Sequence, residues 1–324
     1  MSKILVCGAG GFIGGHLVGR LRELGCADIR AVDIKPLDEW HQLHADVENL
    51  RADLSLREAC TSAVADVERI FNLAADMGGM GYIETHKTEC MLSVLINTHL
   101  LVAARDAGVR RYFFASSACV YAADKQRHED VQPLKEADAY PADPEDGYGW
   151  EKLFSERMCR HFSEDFGLEA RIARFHNIYG PHSAFRGGRE KAPAAICRKV
   201  IEAQLNGSNE IEIWGDGQQT RSFTYIDDCI EGTLRLMDSD VAEPLNVGSS
   251  ELVSINELVS IVERIAGVEL TRRYDMDAPK GVRGRNSDNS LIYSKLGWEP
   301  STRLVDGMKA TYEWIWSEMT GQAG

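Results

Sequence analysis

The chain has 324 residues, 44% of them hydrophobic and 27% charged, enough for one large domain or two modest ones. Its formal charge of −14 argues against a nucleic-acid partner, whose phosphates demand a basic surface, and no run reaches the ~20 consecutive apolar residues of a membrane span. Eight scattered cysteines with no CxxC pair are expected to be free thiols without a metal site. Met1-Ser2-Lys3 runs directly into Ile4-Leu5-Val6 without a signal-peptide plan, which gives a cytoplasmic expectation.

The first half alternates short apolar strands, expected at 3–7, 29–33, 69–73, 112–115 and 169–174, with helical patterns at 12–24, 92–107 and 149–166. In the first helix Ile13, Leu17, Leu21 and Leu24 recur at helical spacing. Such alternation predicts an α/β fold, a doubly wound parallel sheet of the Rossmann type. The second half is less regular: a helix at 191–205, a strand at 211–214 and helices near 227–237, 255–265 and 304–319. The expected organisation is a dinucleotide-binding domain of residues 1–175, with about 225–250 crossing back to it. A smaller mixed α/β substrate domain is expected from 176–224 and 251–324.

Gly8-Ala9-Gly10-Gly11-Phe12-Ile13-Gly14 follows the first strand and opens the first helix. Gly8, Gly11 and Gly14 permit a tight turn and close backbone approach to a pyrophosphate at the positive helix end, with Phe12 and Ile13 in the same turn. Asp33 ends the next strand, where a carboxylate holds ribose hydroxyls and repels a 2′-phosphate, so the expected cofactor is NAD.

Tyr148-Gly149-Trp150-Glu151-Lys152 places a phenol and an ammonium four residues apart on one helix face. A positive neighbour lowers a phenol's pKa and suits Tyr148 to removing an alcohol proton. Upstream, Ser117 directly follows a strand. The glycine turn, Ser117 and Tyr148-x-x-x-Lys152 stand in the order of the extended short-chain dehydrogenase/reductase family, which the chain resembles over nearly its whole length.

Within that family three segments resemble GDP-mannose 3,5-epimerases: Ala75-Asp76-Met77-Gly78-Gly79-Met80-Gly81, Ser116-Ser117-Ala118-Cys119 and Gly188-Arg189-Glu190-Lys191-Ala192-Pro193. Arg174-Phe175-His176-Asn177 and Gly281-Val282-Arg283-Gly284-Arg285-Asn286 do so too. The resemblance implies oxidation of a hexose at C4, which acidifies the C3 and C5 hydrogens. Cys119 and Lys191 then act as an acid/base pair on opposite faces, and Ser117 and Tyr148 stabilise the enolate oxygen. It also implies that Asp53 and Leu54 edge the adenine and that Gly78 and Met80 line the sugar pocket. Asn177, Arg221 and Arg283 or Arg285 are implied to bind the diphosphate of a GDP-sugar, and the chain to be a homodimer built on the helices at 92–107 and 149–166.

Taken singly, Cys119 reads as an inert buried thiol and Lys191 as a solvated helix-start residue; their joint occurrence in family-specific segments favours chemistry. Since thiols and ammonium groups titrate above neutrality, the site is expected to lower both pKa values. Ser93 stands where related enzymes carry an asparagine, with Asn97 one turn on, and Ala122-Ala123 follows Tyr121 instead of a proline or glycine. A 4-epimerase gives Cys119 and Lys191 nothing to do, a 4,6-dehydratase wants two carboxylates where Ala118-Cys119 stands, and a non-catalytic dinucleotide sensor does not need Ser117, Tyr148 and Lys152.

Overall fold

A computed structural model describes residues 3–321. The first six strands are β1 (Lys3–Cys7), β2 (Ile29–Asp33), β3 (Glu48–Arg51), β4 (Val67–Asn72), β5 (Arg111–Ser117) and β6 (Glu169–Phe175). Between them run α1 (Phe12–Glu23), α2 (Arg57–Ala63), α3 (Met80–Thr85), α4 (Lys87–Ala107) and α5 (Tyr148–Phe166). The second half supplies β7 (Ile178–Tyr179), α6 (Ala192–Asn206), β8 (Glu210–Trp214), β9 (Thr220–Ser222), β10 (Thr224–Tyr225) and α7 (Ile226–Asp238). It ends with β11 (Leu245–Val247), β12 (Leu252–Ser254), α8 (Ile255–Ala266), β13 (Thr271–Asp275), β14 (Gly284–Arg285), α9 (Ser290–Leu296) and α10 (Leu304–Thr320).

Seven parallel strands form the central sheet in the order β11-β6-β5-β4-β1-β2-β3, the doubly wound Rossmann arrangement expected. Strand order reverses between β1 and β4, and ligands of such sheets sit outside the carboxyl ends of the strands there. One face packs α1 and α7 through Leu17, Leu21, Ile230 and Leu236; the other packs α2, α4 and α5 through Cys60, Leu100, Leu101 and Phe162. A separate core joins α6, α8 and α10 through Val200, Leu258 and Met308. Three short sheets connect this part to the loops beyond the central sheet.

The differences from expectation have physical causes. β3 carries no apolar run because it is an exposed edge strand, held by its backbone to β2. The two- and three-residue strands of the second half are too short to show a period. α4 begins at Lys87, five residues before its apolar pattern emerges. It is the one described helix long and apolar enough, by length and composition, to cross a membrane, yet Cys90, Ser93, Asn97, Leu100 and Leu101 face the protein interior. Met91, Leu92 and Leu95 of α4 and Trp150 and Phe154 of α5 remain exposed.

A buried polar network fixes the sheet end nearest the cleft. Arg174 donates Nε and Nη2 to Glu156 at 2.9 and 2.7 Å, and Ser116 donates to the same carboxylate at 2.5 Å. Tyr121 donates to Asn246, whose Oδ1 also meets the His176 ring at 2.9 Å. Four elements, β5, α5, β6 and β11, are thereby tied through charged and polar groups hidden from water.

Candidate active site

The carboxyl ends of β1, β2, β4 and β5 converge on the glycine turn. A Cβ on Gly14 would lie 2.1 Å from the Gly8 carbonyl oxygen, and one on Gly8, at φ +81°, would lie 2.9 Å from the backbone of Leu73 and Ala74. Only glycine permits this closeness, which makes a cradle of bare backbone. No side chain caps α1 at Gly11, so its first-turn amide dipoles stay available to an anion. Phe12 and Ile13 pack into the core beneath the turn. The Asp33 carboxylate accepts the Gly10 and Lys35 amides, both at 3.0 Å, which orients it beside the cradle. Asp53 accepts the Ser55 amide at 2.9 Å in the turn after β3, and Leu54 beside it is buried. The cradle and carboxylate fit a dinucleotide with free ribose hydroxyls.

A cleft of about 1390 Å³, measured with its open mouth, lies between this sheet edge and the second part of the chain. Its lining brings together Ser117, Cys119, Tyr148, Lys191, Gly78, Met80, Asn177, Arg221 and Arg285, residues separated by up to two-thirds of the sequence. Arg283 is not in that lining: its guanidinium is forked on Asp216 at 2.9 and 2.8 Å and bonded to Glu129. Lys152 lies behind the wall, fully buried. Sequence reasoning missed Trp214 and Gln219 in the lining, because nothing in their local pattern distinguishes them from surface residues.

Alternation along β5 explains the serine pair. Ser116 points inward to Glu156, while Ser117 turns to the cleft and accepts the Cys119 amide at 3.2 Å, capping the short turn that carries the thiol. Tyr148 opens α5 directly across from it. Lys152 lies one turn on, its Nζ 5.5 Å from the Tyr148 ring centre and 4.7 Å from that of Phe114. Its charge is shared with Glu151, whose Oε2 is 3.4 Å away. The expectation that Lys152 draws the phenol's pKa down is not met: burial pushes Tyr148 well up, Cys119 and Glu151 add to this, and only the Ser117 hydroxyl opposes it among the stronger influences.

Of the expected pair Cys119 and Lys191, one member departs from expectation. Burial lowers the Lys191 ammonium, as expected, since desolvation disfavours its charged form. The same desolvation raises Cys119, and Glu145 raises it further against the opposing charge of Arg285. The thiol is therefore the resting form of Cys119.

Lys191 precedes α6, and neither a hydrogen bond nor an ion pair holds its ammonium among the described residues. Its position is fixed by the neighbouring backbone. The Gly79 amide donates to the Arg189 carbonyl at 3.0 Å, and a Cβ on Gly79 would strike the Glu190 carbonyl at 2.3 Å. Arg189 then reaches back to Asp76 at 2.6 Å and to the Tyr82 hydroxyl at 2.7 Å, and the Tyr82 hydroxyl itself donates to Asp76 at 2.9 Å. The departure noted in α4 belongs to this scaffold: Ser93 accepts the Asp76 amide at 2.9 Å, while Asn97 one turn on accepts the buried Tyr112 hydroxyl at 2.8 Å. Arg189→Ala is expected to lower turnover by about 10–100-fold through misplacement of Lys191. NAD retention should be unchanged, and steady-state rates on the purified variant with its cofactor content check both.

The basic cluster that an acidic protein needs for an anionic ligand is present. Arg221, buried on β9, donates only to backbone carbonyls, those of Thr220 at 2.7 Å, Val282 at 2.5 Å and Lys280 at 3.3 Å. Burial, with Arg285 nearby, lowers its pKa to about 9, a measure of how weakly its charge is compensated. Asn177, at φ +45°, donates to the Ser222 carbonyl at 2.9 Å and lines the cleft.

Residues 4–248 match the model of the NAD dependent epimerase/dehydratase family. The chain belongs to that family. It is 48% identical over 319 residues to a GDP-mannose 3,5-epimerase 1 of Oryza sativa subsp. indica, covering 97% of this chain and 81% of the relative. It is also 48% identical over 314 residues to the GDP-mannose 3,5-epimerase of Arabidopsis thaliana, covering 97% and 82%. Among solved structures, a UDP-glucuronic acid 4-epimerase from Bacillus cereus, in complex with UDP-glucuronic acid and NAD, superimposes with a TM-score of 0.82 at 25% identity, covering 97% of this chain and 98% of that one. The resemblance drawn from the sequence segments is thus borne out over 97% of this chain.

Proposed function

We propose that this protein epimerises GDP-mannose at C3 and C5 through a 4-keto intermediate with tightly held NAD, giving GDP-L-galactose and GDP-L-gulose. The observation that carries this reading is the joint placement of Cys119 and Lys191 in one cleft with Ser117 and Tyr148, supported by 48% identity to two such epimerases. A 4-epimerase has no use for that pair. A sensor needs none of the four.

Tyr148 takes the proton of the C4 hydroxyl, with Ser117 hydrogen-bonded to the same oxygen. Held by the glycine cradle and Asp33, NAD would supply the reversible hydride acceptor for C4. With C4 a ketone, one of Cys119 and Lys191 removes the hydrogen at C3 or C5 and the other delivers a proton to the opposite face. Ser117 and Tyr148 hold the enolate oxygen between those steps. Arg221 takes the diphosphate, and the exposed Trp214 indole, with the Lys199 ammonium 5.8 Å from its ring centre, offers the base a flat face.

The test is incubation with GDP-mannose in D2O without added NAD. Deuterium at C3 and C5 of the recovered sugar, with L-configured products, is the expected result. Exchange at neither carbon while NAD is found in the protein overturns the substrate. Arg221→Met should raise KM by about 10-fold or more, the loss of one charge-assisted contact to phosphate, with a smaller change in kcat; initial-rate kinetics measure it.

The exposed apolar residues of α4 and α5 lie on adjacent helices and suit a symmetric four-helix contact between two copies. A homodimer is the expected species in light scattering, and Leu95→Glu with Phe154→Glu should yield monomer.

A further inference from the structure

Cys119 does not face the cleft alone. The Arg285 guanidinium spreads its three nitrogens over three partners: Nη1 points to the Cys119 sulfur at 3.7 Å, Nε donates to Gln126 at 2.6 Å, and Nη2 donates to Glu145. Glu145 is anchored on the same turn, its amide donating to the Cys119 carbonyl at 3.0 Å. The second carboxylate oxygen of Glu145 is buried and finds no hydrogen-bond partner among the described residues. A buried carboxylate half-satisfied in this way is costly, and Arg285 is the cation that holds it there.

We infer that Glu145 is a positioning residue for the epimerisation: by engaging Arg285 it withholds the guanidinium charge from Cys119 and keeps the resting residue a thiol. The inference rests on the proposed role of Cys119 but not on which sugar is bound.

Two charges of opposite sign act on one sulfur, so removing each must move its ionisation in opposite directions. Glu145 and the burial of the site push the Cys119 thiol up, and Arg285 pulls it down. The other titratable groups facing it are Tyr148 from α5, Cys90 from α4, Lys191 before α6 and Arg221 from β9. All stay in place in the variants below.

The experiment follows alkylation of Cys119 by iodoacetamide against pH in the NAD-loaded protein, with peptide mass spectrometry to separate it from the other seven cysteines. The high-pH plateau reports access and the midpoint reports ionisation. In Glu145→Gln, an isostere that can still accept from Arg285, the midpoint should fall by about one pH unit, so alkylation near neutrality becomes about tenfold faster. In Arg285→Gln it should rise by a similar amount, and Glu145→Ala, with the same expected fall, takes the place of Glu145→Gln if that variant does not fold. An unmoved midpoint, or midpoints that move the same way in both variants, overturns the inference. Midpoints that split as stated while GDP-mannose shows no exchange would sink the proposed substrate and leave the Glu145 role standing.

Discussion

Lys191→Ala should abolish deuterium entry into the sugar ring, lowering epimerisation by about 10³-fold or more, the upper range for removing a positioned acid/base group. Cys119→Ser should do the same, because a serine hydroxyl of similar size has a far higher pKa and cannot exchange protons with a carbon acid at a comparable rate. Neither residue belongs to the glycine cradle, so both variants should retain NAD. Both should also still oxidise C4, visible as reduced cofactor absorbing near 340 nm when substrate is added. Loss of C4 oxidation along with exchange would show that the residues shape substrate binding and not the proton transfer. Rescue of Lys191→Ala by small primary amines, in proportion to their basicity, would tie the defect to the missing amine itself.

Glu156→Gln should cost about 3–5 kcal/mol of folding stability, the range for breaking one partner of a buried ion pair. Burial by itself works against the Arg174 charge, and Glu156 more than offsets that, holding the guanidinium above its ordinary pKa. Both side chains are 2–3% exposed, so no water replaces the lost carboxylate. What remains around Arg174 is neutral: the introduced amide oxygen, the Glu136 carbonyl at 2.7 Å and the Tyr121 hydroxyl at 3.4 Å. Urea unfolding of the NAD-loaded protein measures the loss. The double change Arg174→Met with Glu156→Leu should cost less than the single one, since it leaves no charge unpaired. A single variant as stable as the parent would place the network's strength elsewhere. Because Ser116 of this network adjoins Ser117, turnover should fall with stability in Glu156→Gln.

The contrast between these two sites shows what was legible beforehand. Lys191 and Cys119 were found by the segments around them. The Glu156–Arg174 pair gave no signal, because a glutamate in an amphipathic helix and an arginine in a strand read as ordinary until their burial is known. Glu145 and Arg189 were missed for the same reason. Their roles come from partners at sequence distances of 140 and 113 residues, Arg285 and Asp76. Arg283 and Arg285, two residues apart in one basic run, were interchangeable in sequence only: Arg283 lies just outside β14 and pairs with Asp216 and Glu129, while Arg285, within β14 and buried, reaches Cys119.

The sequence by itself determined the parallel sheet, the glycine turn, the carboxylate that ends β2 beside it and the family. These rest on short-range rules, the periods of helices and strands and the spacing of a turn, which a chain displays before it folds. Only the tertiary structure decided protonation and division of labour. Burial raises Cys119 and Tyr148 and lowers Lys191, and long-range pairing commits Arg285 to a thiol while leaving Arg221 with uncompensated charge. Desolvation and Coulomb terms depend on distance and on excluded water, and neither exists until residues far apart in the chain are brought together.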